Sequence, residues 1–211
     1  MSKLCLEILD AERLAIFYSL KKLPRGGVLG GGTALALQMG HRQSYDFDIF
    51  YPDKIKKTHL DSVRKIFGKR ISAVLVDTSD ELTVSIDGEI KITLLYYPFK
   101  PLHAVVRPEQ SIPLLSLRDG AANKAYTVGR RGVWRDYVDV FFVLRDHLSL
   151  ATVIADATKK FDGVFSEKLF LEQLVYFADI TSYQIEFIED SISTSDIKKF
   201  FITEVRGYTK K

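Results

Sequence analysis

Short apolar runs alternate with amphipathic stretches along the N-terminal half of the chain. Apolar side chains at helical spacing predict an amphipathic helix over residues 4–22, which Pro24 ends. Apolar runs bounded by turn residues predict strands, and Asp87-Gly88 is a strong signal for a hairpin. The predicted strands cover residues 28–29, 46–51, 71–76, 82–86 and 89–97, and further helices are predicted over 33–39 and 56–68.

The C-terminal half has a different pattern. Prolines from Pro98 to Pro113 mark a linker, with a short predicted strand near Ile112–Leu115. Ser116 is then a typical N-cap residue, and the pattern becomes helical. Helices are predicted over residues 116–128, 134–144, 149–161, 166–179 and 194–208. These patterns predict an α+β protein, with an α/β domain over residues 1–105 and a helical domain over residues 106–211.

Composition narrows the function classes only slightly. The 211 residues suffice for a sizeable core. The formal net charge of +3 is too small, by itself, to predict binding to nucleic acid or to a membrane surface. Cys5 is the only cysteine, which excludes an internal disulfide and a multi-thiolate metal site. Charged residues near the start argue against a signal peptide, and no apolar run is long enough to cross a membrane. We therefore expect a cytoplasmic protein without a membrane partner.

Two carboxylates in a predicted strand are the first candidates for chemistry. Asp46 and Asp48 lie two apart in an apolar strand, so their side chains share one face while Phe47 and Ile49 point to the core. Two such carboxylates repel each other unless a cation lies between them. A hard divalent ion, Mg²⁺ or Mn²⁺, suits them because it binds carboxylate oxygens together with waters and phosphates.

A glycine triplet precedes this pair by a short distance. Gly30-Gly31-Gly32 leads into the short helix that begins near Thr33, and 13 residues separate Gly32 from Asp46. A helix that begins after glycines presents free N–H groups to an anion, and the Thr33 hydroxyl adds a donor. The combined stretch predicts metal ions facing a phosphate cradle, which is suited to phosphoryl or nucleotidyl transfer. An exposed acidic strand beside a flexible glycine turn is the alternative interpretation.

A second candidate block lies in the helical half. Lys124 shares a predicted helix face with small and apolar residues, so it either extends to the surface or points into a site. Asp136 and Asp139 share a face of the next helix, and Arg131 lies in the turn before it. Read from the residues alone, this block is either a functional site or a structural cluster of ion pairs.

The two blocks together carry a resemblance to known proteins. The order Gly-Gly-Thr, short helix and Asp-x-Asp resembles the nucleotidyltransferase superfamily, whose fold is polymerase-beta-like. The individual residues of these motifs are similar to those of the AbiEii/AbiGii toxin family. Its members are the toxin halves of bacterial abortive-infection and toxin–antitoxin pairs. The residues that carry this resemblance are Gly31-Gly32-Thr33-Ala34-Leu35, Gly40-His41-Arg42, Ser44, Asp46-Phe47-Asp48-Ile49-Phe50 and the block from Leu117 to Leu144.

The resemblance implies a fold and a set of roles. It implies a mixed β-sheet flanked by helices, followed by a C-terminal helical bundle that completes the active site. Lys124 would hold the triphosphate, Asp136 would be a general base or the partner of Lys124, and Asp139 could be structural. The implied metal ligands are Asp46 and Asp48, the implied catalytic residues are these two with Lys124 and Asp136, and the implied nucleotide-binding residues are Gly31, Gly32, Thr33, Ser44, Lys124 and Arg131.

The implied activity is transfer of a nucleoside monophosphate from a nucleoside triphosphate (NTP) to an acceptor hydroxyl. RNA is the expected acceptor, with the tRNA 3′ end the leading candidate. An antitoxin protein or a DNA-binding regulator is the expected partner. One feature departs from the superfamily pattern, because the later strand has Lys91 and Thr93 where a third acid is expected, and Asp136 is the leading substitute. Two alternatives stay open: a nucleotide- or partner-binding module that has lost turnover, and an adenylyltransferase acting on a small molecule.

Overall fold

The computed structural model describes residues 4–188 and 191–210, which form a mixed β-sheet and a set of helices. The strands are β1 (Val28–Leu29), β2 (Phe47–Tyr51), β3 (Ile71–Asp77), β4 (Glu81–Ile86) and β5 (Ile90–Tyr96). The helices are α1 (Ala11–Ser19), α2 (Gly31–Met39), α3 (Lys57–Phe67), α4 (Leu117–Val128), α5 (Trp134–Asp146), α6 (Leu150–Lys160), α7 (Glu167–Leu174) and α8 (Thr194–Thr209). The predicted α+β class is therefore confirmed.

The five strands form one sheet in the order β1-β2-β5-β4-β3. β2 and β5 are parallel, whereas the other neighbouring pairs are antiparallel, so the sheet is mixed as expected. β4 and β5 form the predicted hairpin, in which Asp87 and Gly88 have φ angles of 50° and 85°. Two consecutive positive φ angles are typical of a type I′ turn, which explains the preference for Asp-Gly there.

β2 has one buried face and one face that lines a cleft. Phe47, Ile49 and Tyr51 are at most 3% exposed and pack in the core under the sheet. Asp48 and Phe50 alternate with them and are only partly buried. This alternation confirms that the carboxylate side of β2 faces away from the core.

The core consists of two hydrophobic clusters. One cluster packs the sheet against the N-terminal helices, and it also includes Ile112 and Leu114 from the proline-rich segment. The other cluster holds together α4 to α8 and includes Leu35 of α2. α2 therefore contacts both clusters and lies where the sheet meets the helices. The boundary between residues 105 and 106 stays a prediction.

Three predicted elements differ from those observed. The helix expected over residues 4–22 is interrupted, because Asp10 accepts a hydrogen bond from the Arg13 N–H and caps a helix that begins only at Ala11. The short strand near Ile112–Leu115 is reduced to isolated bridges at Leu114.

The helix expected over residues 166–179 ends at Leu174. The Tyr137 hydroxyl lies 2.8 Å from the Gln173 carbonyl oxygen and 3.2 Å from that of Tyr176, so the end of α7 docks on α5 instead of extending. Within the described residues, none of the helices has the length and apolar character needed to cross a bilayer.

Candidate active site

A cleft with a volume of about 610 Å³ lies between the exposed face of the sheet, the N-terminal parts of α2 and α5, and one side of α4. All the residues that the sequence singled out for metal or nucleotide binding line this cleft, although they come from distant parts of the chain. They are Gly31, Gly32, Thr33, Ser44, Asp46, Asp48, Lys124, Arg131 and Asp136. The structure thus brings the predicted site residues together, and their individual roles stay predictions.

Asp46 and Asp48 form the acidic floor of the cleft. The backbone N–H of Lys91, on the neighbouring strand, donates to Asp46 Oδ1 over 3.1 Å. Burial raises the pKa of Asp48, and the charge of Asp46 raises it further, while Lys124 acts in the opposite direction. The ionised form of Asp48 is thus unfavourable in the protein alone. Such a donor set fits a divalent cation. The ion would offset both the cost of burying a charged carboxylate and the repulsion between the two carboxylates.

The strand beside this pair lacks a third acid, in agreement with the sequence. Thr93 lies directly opposite Asp48 in the parallel register of β2 and β5, and Lys91 lies two positions before it. Glu89 is exposed at the start of the strand. Among the residues that the structure describes, no three His, Cys, Asp or Glu side chains are grouped as metal ligands. Any ion at Asp46 and Asp48 would therefore take its other ligands from water and phosphate oxygens.

The glycines of α2 are needed for a reason that the sequence did not indicate. Gly31 has a φ of +62°, and a Cβ there would lie 2.3 Å from Asp48 Oδ2. A Cβ on Gly32 would lie 2.3 Å from Arg42 Nη2. The space expected to admit a phosphate beside each Cα is therefore filled by the protein's own side chains. The N–H groups of the first turn of α2 are the donors that it could still offer to an anion.

Substitution of Gly31 by alanine is expected to abolish activity and to destabilise the fold. The new Cβ would displace the Asp48 carboxylate and would hold a strained φ, which together cost more than about 1 kcal/mol. Gly163→Ala is the control, because Gly163 also has a positive φ, +73°, and an added Cβ there meets nothing within 4 Å. Urea unfolding and a transfer assay on both variants separate strain from displacement. Equal effects of the two substitutions would contradict this account.

Two hydroxyl groups position the backbone of the acidic strand. The Thr33 hydroxyl donates to the carbonyl oxygen of Asp46, and Ser44 Oγ lies 2.6 Å from Thr33 Oγ1. Because a carbonyl can only accept, the proton of Thr33 is committed to it, and Ser44 is the donor to Thr33. This chain fixes Asp46 relative to the first turn of α2. Direct contact of Thr33 or Ser44 with a nucleotide stays a prediction.

Lys124 is buried, and it bridges two carboxylates of α5. Its Nζ lies 2.5 Å from Asp136 Oδ1 and 2.7 Å from Asp139 Oδ2. Burial disfavours the charged amine, but the two carboxylates outweigh this and raise the pKa of Lys124. The other oxygen of Asp136 accepts from Arg131 Nε over 3.0 Å. Lys124 is therefore held as a cation at the wall of the cleft, and both oxygens of Asp136 are engaged.

Asp139 anchors this wall from below. Its fully buried carboxylate accepts from Arg42 Nε at 2.7 Å and Nη2 at 3.0 Å, and His41 Nε2 lies 2.7 Å from Oδ1. Burial acts to raise the pKa of Asp139, but Arg42, Lys124 and His41 hold it well below its ordinary value. Burial lowers the pKa of His41, so its imidazole is neutral near pH 7 and donates through Nε2. Asp139 thus ties the segment after α2 to α5.

Comparison with known proteins identifies the family. The family model described as the nucleotidyl transferase AbiEii toxin of type IV toxin–antitoxin systems matches residues 17–202. The chain belongs to the AbiEii nucleotidyl transferase toxin family. The match spans every residue named above in the cleft, and membership supports nucleotidyl transfer as the reaction class.

This AbiEii-family chain is also similar to individual proteins. An uncharacterized protein of Aquifex aeolicus (strain VF5) is 31% identical over 187 residues, which cover 85% of this chain and 86% of the relative. Among solved structures, MenT4, a nucleotidyltransferase toxin of Mycobacterium tuberculosis H37Rv, has a TM-score of 0.60 at 16% identity, covering 98% of this chain and 87% of its own. A nucleotidyltransferase candidate from Helicobacter pylori has a TM-score of 0.57 at 18% identity, covering 96% of both chains. The two structures show a shared fold.

Several residues of the AbiEii-family cleft were not predicted from the sequence. The cleft is also lined by Tyr97, Asn123, Tyr126 and Thr127, at the end away from Asp46. A signal for part of this set was present, because Thr127 lies three positions after Lys124 on the same face of α4, and Asn123 lies one turn before Thr127. Tyr97 gave no such signal, since it lies just after β5 and reaches the cleft only through the folding of the sheet.

Proposed function

We propose that this AbiEii-family chain transfers a nucleoside monophosphate from an NTP to a hydroxyl of RNA, with the tRNA 3′ end the leading acceptor, as the toxin of a toxin–antitoxin pair. One observation carries the proposal. The acidic pair Asp46 and Asp48 faces the first turn of α2 on one side and the buried cation Lys124 on the other, within a single cleft. A triphosphate needs this combination of acids for a metal and donors for its oxygens.

Three groups of this cleft are suited to hold the phosphates. The first N–H groups of α2 have no partner one turn earlier and attract anions. Lys124 keeps a third N–H beyond the two that contact Asp136 and Asp139. The Arg131 side chain is 60% exposed and lines the same cleft. In-line attack by an acceptor hydroxyl on the α-phosphorus would then release pyrophosphate.

Asp46 and Asp48 would hold a divalent cation, Mg²⁺ or Mn²⁺, and the ion would neutralise charge that develops on the phosphates. Of the two roles left open for Asp136, its contacts support the positioning of Lys124. Both of its oxygens are engaged, one by Lys124 and the other by Arg131. The task of Asp136 is therefore to keep Lys124 charged and pointed at the cleft.

The acceptor has a path to this site. A second cleft, of about 640 Å³, adjoins the first, and the two share Arg42, Tyr45, Val133 and Arg135 as lining residues. A continuous opening of this size favours a macromolecular acceptor over a compact one. The exposed Arg135 is placed to contact a phosphate of an approaching RNA strand.

Purified protein incubated with α-³²P-labelled NTPs, Mg²⁺ and bulk tRNA is expected to label the RNA. Pretreatment of the tRNA with periodate destroys the terminal diol and should prevent labelling, and EDTA should do the same. Label on periodate-treated tRNA would exclude the 3′ end as the acceptor. Label on a small molecule, with none on RNA, would favour the small-molecule adenylyltransferase instead.

The missing third carboxylate favours a second candidate, a nucleotide- or partner-binding module without turnover. The two candidates differ in one measurable property. Mg²⁺-dependent release of pyrophosphate in the presence of RNA supports the enzyme. NTP binding by calorimetry without any pyrophosphate release supports the module.

A further inference from the structure

The floor of the cleft changes from acidic to aromatic along β2. Asp48 and Phe50 point to the same side, about 6.6 Å apart at the rise of a strand. Phe50 stacks on Tyr97, with ring centroids 4.4 Å apart and planes inclined by 17°. Tyr126 of α4 lines the cleft near this end. If phosphates lie at the acidic end, the nucleoside half of a nucleotide reaches this aromatic end.

Asn123 provides an unused donor at that end. The Tyr97 hydroxyl donates to Asn123 Oδ1 over 3.1 Å. Asn123 Nδ2 is buried, and no acceptor for it is found in the described part of the chain. A buried N–H without a partner destabilises a protein by about 1–3 kcal/mol, so such groups usually have a ligand or a functional reason.

The tyrosine that contacts this amide is itself held in place by neighbouring rings. The Tyr97 ring is held between Phe50 and Phe99, with 5.4 Å between the centroids of Tyr97 and Phe99. With the Tyr97 hydroxyl donating to Oδ1, the amide presents N–H rather than oxygen to a group that enters beside it.

We propose that Asn123 reads the nucleobase of the donor NTP by donating from Nδ2 to a base carbonyl oxygen, with Tyr97 as the residue that orients the amide. Uracil, cytosine and guanine carry such a carbonyl, and adenine does not. The chain therefore selects UTP, CTP and GTP against ATP. This inference rests on the proposed function, since it assumes that the cleft binds an NTP.

Kinetics with the four NTPs test the preference. For the wild type, kcat/KM with ATP is expected to be about tenfold lower than with the carbonyl-bearing NTPs, which corresponds to one buried hydrogen bond. Asn123→Leu removes the donor. The ratio of kcat/KM with a carbonyl-bearing NTP to kcat/KM with ATP should then fall to about one. Asn123→Asp replaces the donor by an acceptor, and the preference should move toward ATP, whose exocyclic amine can donate.

Tyr97→Phe isolates the orienting hydroxyl, because it keeps the ring stack and loses only the O–H. The side-chain amide of Asn123 can then rotate by half a turn. The preference against ATP should therefore lie between those of the wild type and Asn123→Leu. Tyr18→Phe is the matched control, since Tyr18 is an exposed residue of α1 that does not line the cleft, and it should keep the wild-type ratio. An unchanged ratio in both Asn123→Leu and Tyr97→Phe would overturn the inference while the proposed function stands.

A binding measurement makes the test independent of turnover. Asn123 is the only asparagine of the chain, so protein labelled with ¹⁵N-asparagine gives a single side-chain NH₂ signal. This signal should move on addition of α,β-methylene analogues of UTP, CTP or GTP, and it should move much less with that of ATP. An equal response to all four analogues would point to the ribose and overturn base reading. If the labelled amide reports base-selective binding while no NTP is turned over, the inference holds and the proposed catalysis fails.

Discussion

Asp48→Asn is expected to lower nucleotidyl transfer by about 10³-fold or more without lowering the thermal stability of the protein. The substitution keeps the shape of the side chain and removes its charge. The activity falls because the remaining carboxylate, Asp46, would have to hold a divalent ion alone. The fold does not suffer because burial and the charge of Asp46 already raise the pKa of Asp48, so that the ionised side chain is unfavourable in the protein alone.

Two measurements check this expectation. Label transfer from α-³²P-labelled NTP measures activity. Thermal unfolding with and without Mg²⁺ measures binding of the ion. In EDTA the variant should melt at or above the temperature of the wild type, and only the wild type should gain stability from Mg²⁺. Asp61→Asn is the matched control, because Asp61 is exposed on α3. Retention of more than about a tenth of the activity by Asp48→Asn would show that the acidic pair is not the metal site.

The local elements of this fold could be predicted because their signals lie within a few residues. Ser116 caps α4 by accepting from the Asp119 N–H, and Gly40 ends α2 with a φ of +68°. Both features follow from side-chain chemistry at the helix ends. The face of β2 that carries Asp48 followed from strand alternation in the same way.

The contacts that complete the site could not be predicted, because they join residues that are far apart in the chain. The sequence left open whether Lys124 is at the surface or in a site, and its burial depends on carboxylates of another helix. The ion pair between Arg42 and Asp139 spans 97 positions. The need for glycine at Gly31 likewise comes from Asp48, which only the folded chain brings near it. Spacing alone carries no information about such pairs.

Asp139→Asn is expected to destabilise the protein by about 3–5 kcal/mol. The side chain is fully buried, and it compensates the charges of Arg42 and Lys124 while accepting from His41. Asparagine keeps the shape but turns an NH₂ group toward Arg42, which can only donate. Lys124 would retain Asp136, whereas the buried Arg42 guanidinium would lose its carboxylate partner. Because the shape of the side chain is kept, the loss of stability comes from the unpaired guanidinium and not from a cavity.

Urea unfolding of Asp139→Asn near pH 7 measures this loss, and the double variant Arg42→Leu with Asp139→Leu provides the control. Removal of both charges should restore part of the stability, because no unpaired guanidinium is then left buried.

The pH dependence supplies a further check. A depressed pKa stabilises the fold above the unfolded value of about 3.9. Asp139 also raises the pKa of His41, so the difference between wild type and Asp139→Asn should be constant only near pH 7 and above, where His41 is neutral in both folded proteins. Below about pH 4 it should shrink, because the unfolded wild type binds a proton at Asp139 that the folded protein, with its depressed pKa, does not bind. A loss under about 1 kcal/mol near pH 7 would mean that water reaches Arg42 in the variant, and Asp139 would then not be the anchor of the cleft wall.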